Sequence, residues 1–177
     1  GKRTILDAPL SFGSGRNRWS PRNYDGKYRG SVTVETAIVR SLNTPAVRAL
    51  NAFGVRNGVE FVRSLGVDTP YLPENLTMAL GSASVTPLEM LVAFSAFPNG
   101  GYRVAPRFVT SVLDRSGKEL LNDSSARDEG TRVLSGATAG AIRDILTKAV
   151  ESGTGRRAMV EGVKVFGKTG TTNDFRD

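Results

Sequence analysis

A helix start at Thr86-Pro87-Leu88-Glu89 constrains the fold of this chain more than any other feature of its sequence. Threonine can cap the first turn with its side chain, proline fits the first helical position, and glutamate at the third position can close a capping box. The helix that follows, Leu88 to Phe97, is apolar on most sides, which is typical of a helix that is buried. The sequence therefore predicts a globular domain whose core surrounds this helix.

The composition agrees with a folded domain and excludes several kinds of chemistry. Of the 177 residues, 39% are hydrophobic and 23% are charged, which is typical of globular proteins rather than of disordered ones. The chain contains no cysteine and no histidine. It therefore has no thiol nucleophile, no Ser-His-Asp triad, no disulfide framework and no histidine-based metal site. Any hydrolysis or acyl transfer must move its protons through lysine, a carboxylate or hydroxyl groups.

The net charge of +7 favours anionic partners, such as nucleic acid, an anionic membrane surface or an anionic wall polymer. The basic residues are scattered, without a block of like charge and without the aromatic and basic interleaving that single-strand binders use. We therefore expect no nucleic-acid partner. Nothing in this sequence resembles a signal peptide, and no apolar run approaches the roughly 20 residues that span a bilayer.

A tight connection between two predicted helices places polar side chains at one point of the fold. The first of these helices ends at Ser41-Leu42-Asn43. In the second, Thr44 is the predicted N-cap, Pro45 is the first helical residue, and Gly54 ends the helix. The turn between them can present two polar side chains in a fixed arrangement.

The second half of the chain combines short strands with one further helix. Alternating residues from Phe108 to Leu113, followed by the turn Asp114-Arg115-Ser116-Gly117-Lys118, predict a hairpin. A helix begins at Ser135 and ends near Ser152-Gly153, and Val163-Lys164-Val165-Phe166-Gly167 alternates as a strand. Helices with sparse strands packed beside them predict an α+β fold without an internal domain boundary.

A basic, hydroxyl-rich run, Lys168-Thr169-Gly170-Thr171-Thr172, follows that strand. A cation, several hydroxyls and open backbone amides suit an anionic, peptide-like ligand that lies along a strand edge. Taken alone, a solvated lysine on an ordinary edge strand explains the run equally well. The rest of the chain has to decide between the two interpretations.

Ser-x-Asn on an inter-helix turn and Lys-Thr-Gly on a strand are two of the three motifs shared by penicillin-binding proteins and class A β-lactamases. The chain resembles class A penicillin-binding proteins in five stretches that keep the family's order. A β-lactamase is disfavoured because its second motif usually carries aspartate where this chain has Leu42. The five stretches are Trp19–Asp25, Ser41–Val47, Ala79–Ser82 together with Val85–Met90, Gly153–Gly155 and Gly167–Asp174.

The resemblance implies the fold of penicillin-binding proteins and β-lactamases, an antiparallel sheet flanked by helices, with residues 1–177 forming a partial transpeptidase domain that is incomplete at both ends. It implies a D,D-transpeptidase that cross-links peptidoglycan through a serine acyl-enzyme. The implied partners are stem peptides that end in D-Ala-D-Ala and the β-lactam antibiotics that mimic them. Neither a cofactor nor a metal is implied.

The resemblance also implies a role for individual residues. Ser41 relays a proton to or from the amine, Asn43 holds the amide of the donor peptide, and Lys168 supplies the positive field for the substrate carboxylate. The Thr169 and Thr171 hydroxyls contact that carboxylate, and the Thr171 N–H is one oxyanion-hole donor. The implied substrate-binding residues are therefore Thr169, Gly170, Thr171 and Thr172.

The third motif is missing, because no serine in the chain is followed three residues later by lysine. In the family, the nucleophilic serine precedes the equivalent of Gly1. We therefore expect the isolated segment to be inactive and the remainder of the same synthase to supply the serine. The implied location is the extracytoplasmic face of the bacterial membrane, with an anchor in a part outside this segment. The alternative is a non-catalytic module that binds a wall polymer or a partner.

Overall fold

The computed structural model describes residues 3–122 and 130–170 of the protein. The helices are α1 (Val34–Val39), α2 (Asn43–Phe53), α3 (Val55–Ser64), α4 (Pro87–Ser95) and α5 (Gly136–Glu151). The strands are β1 (Thr4–Asp7), β2 (Gly30–Thr33), β3 (Tyr102–Arg103), β4 (Ser111–Leu113), β5 (Glu119–Asn122) and β6 (Thr131–Arg132). Short 3-10 helices lie at Gly15–Asn17, Leu76–Leu80 and Arg156–Ala158.

The described strands pair in three separate two-stranded antiparallel sheets: β1 with β2, β3 with β6, and β4 with β5. The β4–β5 pair is the predicted hairpin, and Asp114 closes its turn by accepting hydrogen bonds from the N–H groups of Ser116 and Lys118. The β1–β2 pair joins Asp7 to Gly30 across a long loop. The α+β fold class predicted from the sequence agrees with this arrangement.

Helices α1, α2 and α5 form the part of the fold that holds the site. Thr33 caps α1 by accepting a hydrogen bond from the N–H of Thr36, and Ser135 caps α5 in the same way. An ion pair between Lys148 of α5 and Glu35 of α1, 2.7 Å long, joins the two helices at their exposed edge. Both helix starts depend on groups that are close in sequence, and α5 begins at its N-cap Ser135 as the sequence predicts.

The capping box at the start of α4 is confirmed, but the predicted burial of this helix is wrong. Thr86 and Glu89 exchange their side-chain and backbone hydrogen bonds as the sequence indicates. One stripe of the helix, with Ala93 and Ala96, packs into a core cluster with Leu65 and Val67. On the other side, Leu91 is 67% exposed. A helix that is apolar all round is buried all round only if neighbours cover every face, and the described residues cover one.

The predicted strand before the Lys-Thr-Gly run is also wrong for the described residues. Val163 forms an isolated β-bridge with Val160, and residues 164–170 belong to no helix or strand. Gly167 donates its N–H to the carbonyl of Leu146, 3.4 Å away. An extended segment becomes a strand only when a neighbouring strand accepts its ladder of hydrogen bonds.

None of the described helices has the length and apolarity needed to cross a bilayer.

Candidate active site

The structure brings Ser41 and Lys168 into direct contact, although 127 residues separate them in sequence. The Lys168 Nζ donates hydrogen bonds to the Ser41 Oγ at 2.6 Å and to the Thr169 carbonyl at 2.9 Å. Partial burial of the ammonium lowers the pKa of Lys168 below the usual value for lysine. A lysine held against a serine hydroxyl can donate, accept or orient a proton there.

Ser41 lies in a backbone conformation that glycine usually occupies. Its φ is 53°, the only positive φ of a non-glycine residue in the part of the chain that the structure describes. The N–H of Ser41 donates to Ile38 and the N–H of Leu42 donates to Ala37, at 3.0 and 2.9 Å. These two bonds form a Schellman motif that ends α1. A left-handed conformation costs a serine about 1 kcal/mol or more, so the surrounding structure must hold it.

Asn43 begins α2, and the predicted N-cap at Thr44 is wrong. Leu42 is the N-cap and has no side chain that can accept a hydrogen bond. The Oδ1 of Asn23 takes this role from another segment, accepting from the N–H groups of Asn43 at 2.9 Å and Thr44 at 3.3 Å. The Asn43 Nδ2 donates to the carbonyl of Arg22 at 2.8 Å. The loop that contains residues 22 and 23 therefore holds both the backbone and the side chain of Asn43.

The Thr44 hydroxyl is used elsewhere, because it donates to the carboxylate of Asp7 at 2.5 Å. Asp7 is fully buried, and it also accepts from the Asn23 Nδ2 at 2.7 Å and from the Arg29 N–H at 3.0 Å. The Arg29 guanidinium lies 3.8 Å from the same carboxylate. A buried carboxylate is tolerated when it is paired and hydrogen-bonded, and Asp7 is both.

The Lys-Thr-Gly residues lie against the loop that follows α5. The hydroxyls of Thr169 and Thr154 are 2.8 Å apart, and the Thr154 N–H donates to the carbonyl of Val39 in α1 at 3.4 Å. A Cβ on Gly153 would come within 2.4 Å of that carbonyl, so the close approach requires glycine. Gly170 follows on the exposed surface.

Two predicted site residues, Thr171 and Thr172, lie outside the described residues. The structure thus brings Ser41, Lys168 and Thr169 together, with Asn43 two residues beyond Ser41 on the same turn. Within residues 3–122 and 130–170, no group of three acidic side chains could hold a metal ion.

Comparison with known protein families assigns the whole chain to one family. The family described as the penicillin-binding protein transpeptidase domain matches residues 1–177. The chain belongs to this family. The class A resemblance read from the motifs is confirmed by similarity to penicillin-binding protein 1A of Neisseria meningitidis serogroup A, 36% identical over 98% of the chain. Penicillin-binding protein 1F of Bacillus subtilis is 36% identical over 96% of it.

Solved structures of penicillin-binding proteins confirm the fold. Penicillin-binding protein 1A from Haemophilus influenzae superposes with a TM-score of 0.87 at 29% identity, over 97% of this chain and 31% of that one. The D,D-transpeptidase domain of a peptidoglycan glycosyltransferase from Eggerthella lenta superposes with a TM-score of 0.75 at 25% identity, over 97% of this chain and 48% of that one. The chain spans 22% of the length of the two curated relatives.

Sequence reasoning missed two residues that support the site of this penicillin-binding protein segment. Asn23 lies in the family-like stretch Trp19–Asp25, which is the signal that could have drawn attention to it. Asp7 has no such signal, because it is a single acidic residue at the end of a short strand. Its partners are 16, 22 and 37 residues away, beyond the range of any local pattern.

Proposed function

We propose that this chain forms two sides of the active site of a D,D-transpeptidase that cross-links peptidoglycan stem peptides. The observation that carries the proposal is the 2.6 Å contact between the Lys168 Nζ and the Ser41 Oγ. It joins a Ser-x-Asn turn to a Lys-Thr-Gly segment in a member of the transpeptidase family. Residues 1–177 are then part of one domain, and the rest of that domain supplies the nucleophilic serine.

In the proposed reaction, the serine oxygen attacks the carbonyl carbon between the two D-alanines of a donor stem peptide. The C–N bond breaks, D-alanine leaves with a proton, and an acyl-serine ester remains. The amine of a second stem peptide then attacks the ester, loses a proton and releases the serine. Ser41 carries the proton to the departing amine and away from the attacking amine, because its hydroxyl is polarised by Lys168.

The remaining residues hold the substrate in this proposal. The carboxamide of Asn43 binds the amide of the donor peptide. Lys168 and the hydroxyls of Thr169 and Thr171 bind its terminal carboxylate, while the Thr171 N–H stabilises the oxyanion. Gly170 and Thr172 complete the segment along which the peptide lies. β-Lactams react at the same site because they mimic D-Ala-D-Ala. The site faces the extracytoplasmic side of the membrane, and an anchor lies in another part of the protein.

Fluorescent penicillin labelling of the full-length protein tests the proposal. We expect Lys168→Ala to slow labelling by about 100-fold or more, because it removes the charge that binds the carboxylate and polarises Ser41. Lys164→Ala is the matched control, since it removes an exposed lysine from the same segment and should leave the rate unchanged. Equal rates for wild type and Lys168→Ala would contradict the role of Lys168.

Mapping the labelled peptide separates the role of Ser41 from that of a nucleophile. A serine in contact with a lysine could also be the attacking residue itself, activated by that lysine as its base. We expect the penicilloyl group on a serine outside residues 1–177. An adduct on Ser41 would replace the relay role with a nucleophilic one, and a full-length protein that takes no label would favour the non-catalytic binding module.

A further inference from the structure

We infer that Asp7 and Asn23 are positioning residues for the Ser-x-Asn turn, a role that rests on the proposed function. Neither belongs to the motifs that bind substrate in that proposal. Both nevertheless bind the first residues of α2: Asp7 accepts a hydrogen bond from the Thr44 hydroxyl, and Asn23 accepts from the backbone N–H groups of Asn43 and Thr44. The loop from Trp19 to Asp25 thereby holds one side of the site in place.

The carboxamide of Asn23 is the central group of this network. Both of its N–H donors and both acceptor positions of its oxygen are hydrogen-bonded. Its Nδ2 donates to the Asp7 Oδ1 at 2.7 Å and to the Lys27 carbonyl at 2.8 Å. Its Oδ1 accepts from the N–H groups of Asn43 and Thr44. Two acceptors on one side and two donors on the other permit only one orientation of the amide. The side chain of Asn23 is buried, so water does not compete for these bonds.

Asp7 fixes the amide nitrogen of Asn23 by accepting a hydrogen bond from it. Its Oδ1 accepts from both Asn23 and the Thr44 hydroxyl, and its Oδ2 accepts from the Arg29 N–H. A carboxylate at the first turn of α2 also interacts favourably with the positive end of the helix dipole, which lies there. Loss of the carboxylate would release Asn23 and Thr44 together, since both donate to the same oxygen.

The loop is itself braced at its base, which makes it a rigid support. Phe12 and Trp19 exchange backbone hydrogen bonds of 2.9 Å in both directions, and their rings stack with centroids 5.9 Å apart. From this base the loop reaches Asn43 at two atoms, the backbone N–H through Asn23 and the Nδ2 through Arg22. No hydrogen bond to the Asn43 Oδ1 is found among the described residues, so this atom is available to a ligand. A shift of the loop therefore moves the atoms that Asn43 offers to substrate.

The test is the rate of penicillin labelling in the full-length protein that carries Asn23→Ala. Misplacing a substrate-binding group by a fraction of an ångström to 1 Å costs about 10- to 100-fold in rate, and we expect a loss in this range. The labelled fraction at completion should stay at the wild-type level, measured well below the unfolding temperature. Asn17→Ala is the matched control, because Asn17 is an exposed asparagine in the 3-10 helix before Trp19. This variant should label like wild type.

A pair of substitutions at Thr44 provides a second test that disturbs packing less. Thr44→Val keeps the shape of the side chain but removes the hydroxyl that donates to Asp7. Thr44→Ser keeps the hydroxyl and removes a methyl group. We expect Thr44→Val to label several-fold more slowly and Thr44→Ser to restore most of the wild-type rate. This pair carries the test if Asn23→Ala does not fold.

The amplitude and the rate of labelling separate positioning from simple stabilisation. A network that only stabilises the fold would lower the labelled fraction of Asn23→Ala and leave the rate constant unchanged, which would overturn the inference. Equal rates for Thr44→Val and wild type would overturn it as well. Failure of the proposed function has a different signature, because wild type itself would then take no label, or Lys168→Ala would label as fast as wild type.

Discussion

Ser41 and Asn43 lie on a turn held by buried side chains, whereas Lys168 and Thr169 lie on a segment whose side-chain contacts are exposed. The turn is held by the fully buried carboxylate of Asp7, through Asn23 and Thr44. The segment is held by a backbone bond from Gly167 to Leu146 and by hydroxyl and ammonium contacts at the surface. One side of the site is therefore anchored to the core and the other rests on bonds that water can replace.

The difference indicates how each side responds to substitution. A hydrogen bond inside the core leaves an unsatisfied polar group when one partner is removed, which costs more than the bond itself contributes. An exposed hydrogen bond is replaced by water at small cost, but its loss frees the side chains it had oriented. We therefore expect changes on the buried side to lower both stability and the rate of penicillin labelling, and changes on the exposed side to affect mainly the rate.

The largest effect is expected for Asp7→Ala. Removing the carboxylate leaves Asn23, Thr44 and the Arg29 N–H without their buried acceptor, which should lower the free energy of unfolding by about 3–5 kcal/mol. Asp25→Ala is the control, because Asp25 is an exposed carboxylate that pairs with the same arginine, and its loss should matter far less. Thermal and denaturant unfolding of the full-length protein measure both. Similar losses for the two variants would remove the distinction between the buried and exposed supports.

The next effect concerns the strained backbone of Ser41. Both Ser41→Gly and Ser41→Ala lose the hydroxyl in contact with Lys168, and both should label with penicillin at least tenfold more slowly. Glycine accepts the positive φ of 53° without a Cβ penalty, so Ser41→Gly should be more stable than Ser41→Ala by about 1 kcal/mol. Unfolding measurements compare the two. Equal stabilities would mean that the conformation of Ser41 carries no strain.

A smaller effect is expected for Thr154, which touches the exposed side. Thr154→Val removes the hydroxyl that lies 2.8 Å from the Thr169 hydroxyl. The loss of one exposed hydrogen bond, about 0.5–1.5 kcal/mol, should slow labelling by roughly 2- to 10-fold with little change in unfolding. Thr154→Ser should label like wild type. A large loss of stability in Thr154→Val would show instead that the segment is tied to the core.

The smallest effect is the pH dependence that Lys168 adds to stability. Burial lowers the pKa of Lys168 below its usual 10.5, so the folded protein binds fewer protons than the unfolded chain between the two values. In that window stability rises with pH, and the penalty for the charged form is fully present below it. Lys168→Met should therefore gain stability over wild type near neutral pH, and the gain should shrink as the pH approaches 10.5. The residue is exposed as a whole, which limits the size of the effect.

Unfolding midpoints of wild type and Lys168→Met, recorded over a series of alkaline pH values, measure this difference. Lys164→Met is the control for the loss of an exposed positive charge, and its effect should not follow the same pH course. A stability difference that widens with pH for Lys168→Met would contradict a lowered pKa of Lys168 in the folded protein.

Much of the local structure could be predicted from sequence. The capping box at Thr86, the cap of α5 at Ser135 and the turn at Asp114 all depend on groups within four residues of one another. Predictions that needed a distant neighbour were less successful. The strand at Val163–Gly167 lacks a ladder partner among the described residues, and α4 is covered on one stripe only.

The cap of α2 shows why the two kinds of prediction differ. Thr44 followed by Pro45 is a good helix start by local rules, and the helix does begin nearby, two residues earlier than predicted, at Asn43. The hydroxyl of Thr44 nevertheless goes to Asp7, because a buried carboxylate without donors costs far more than an N-cap contributes. Asn23 then caps the helix in its place.

The sequence by itself determined the residue types of the candidate site and the family to which the chain belongs, together with the starts of α4 and α5 and the hairpin. These depend on short-range geometry and on the order of motifs along the chain. Only the tertiary structure decided that Lys168 touches Ser41, that Ser41 adopts a left-handed backbone and that Asp7 anchors Asn23. Such contacts form between distant residues because burial leaves each polar group to find whichever partner the packed core brings to it.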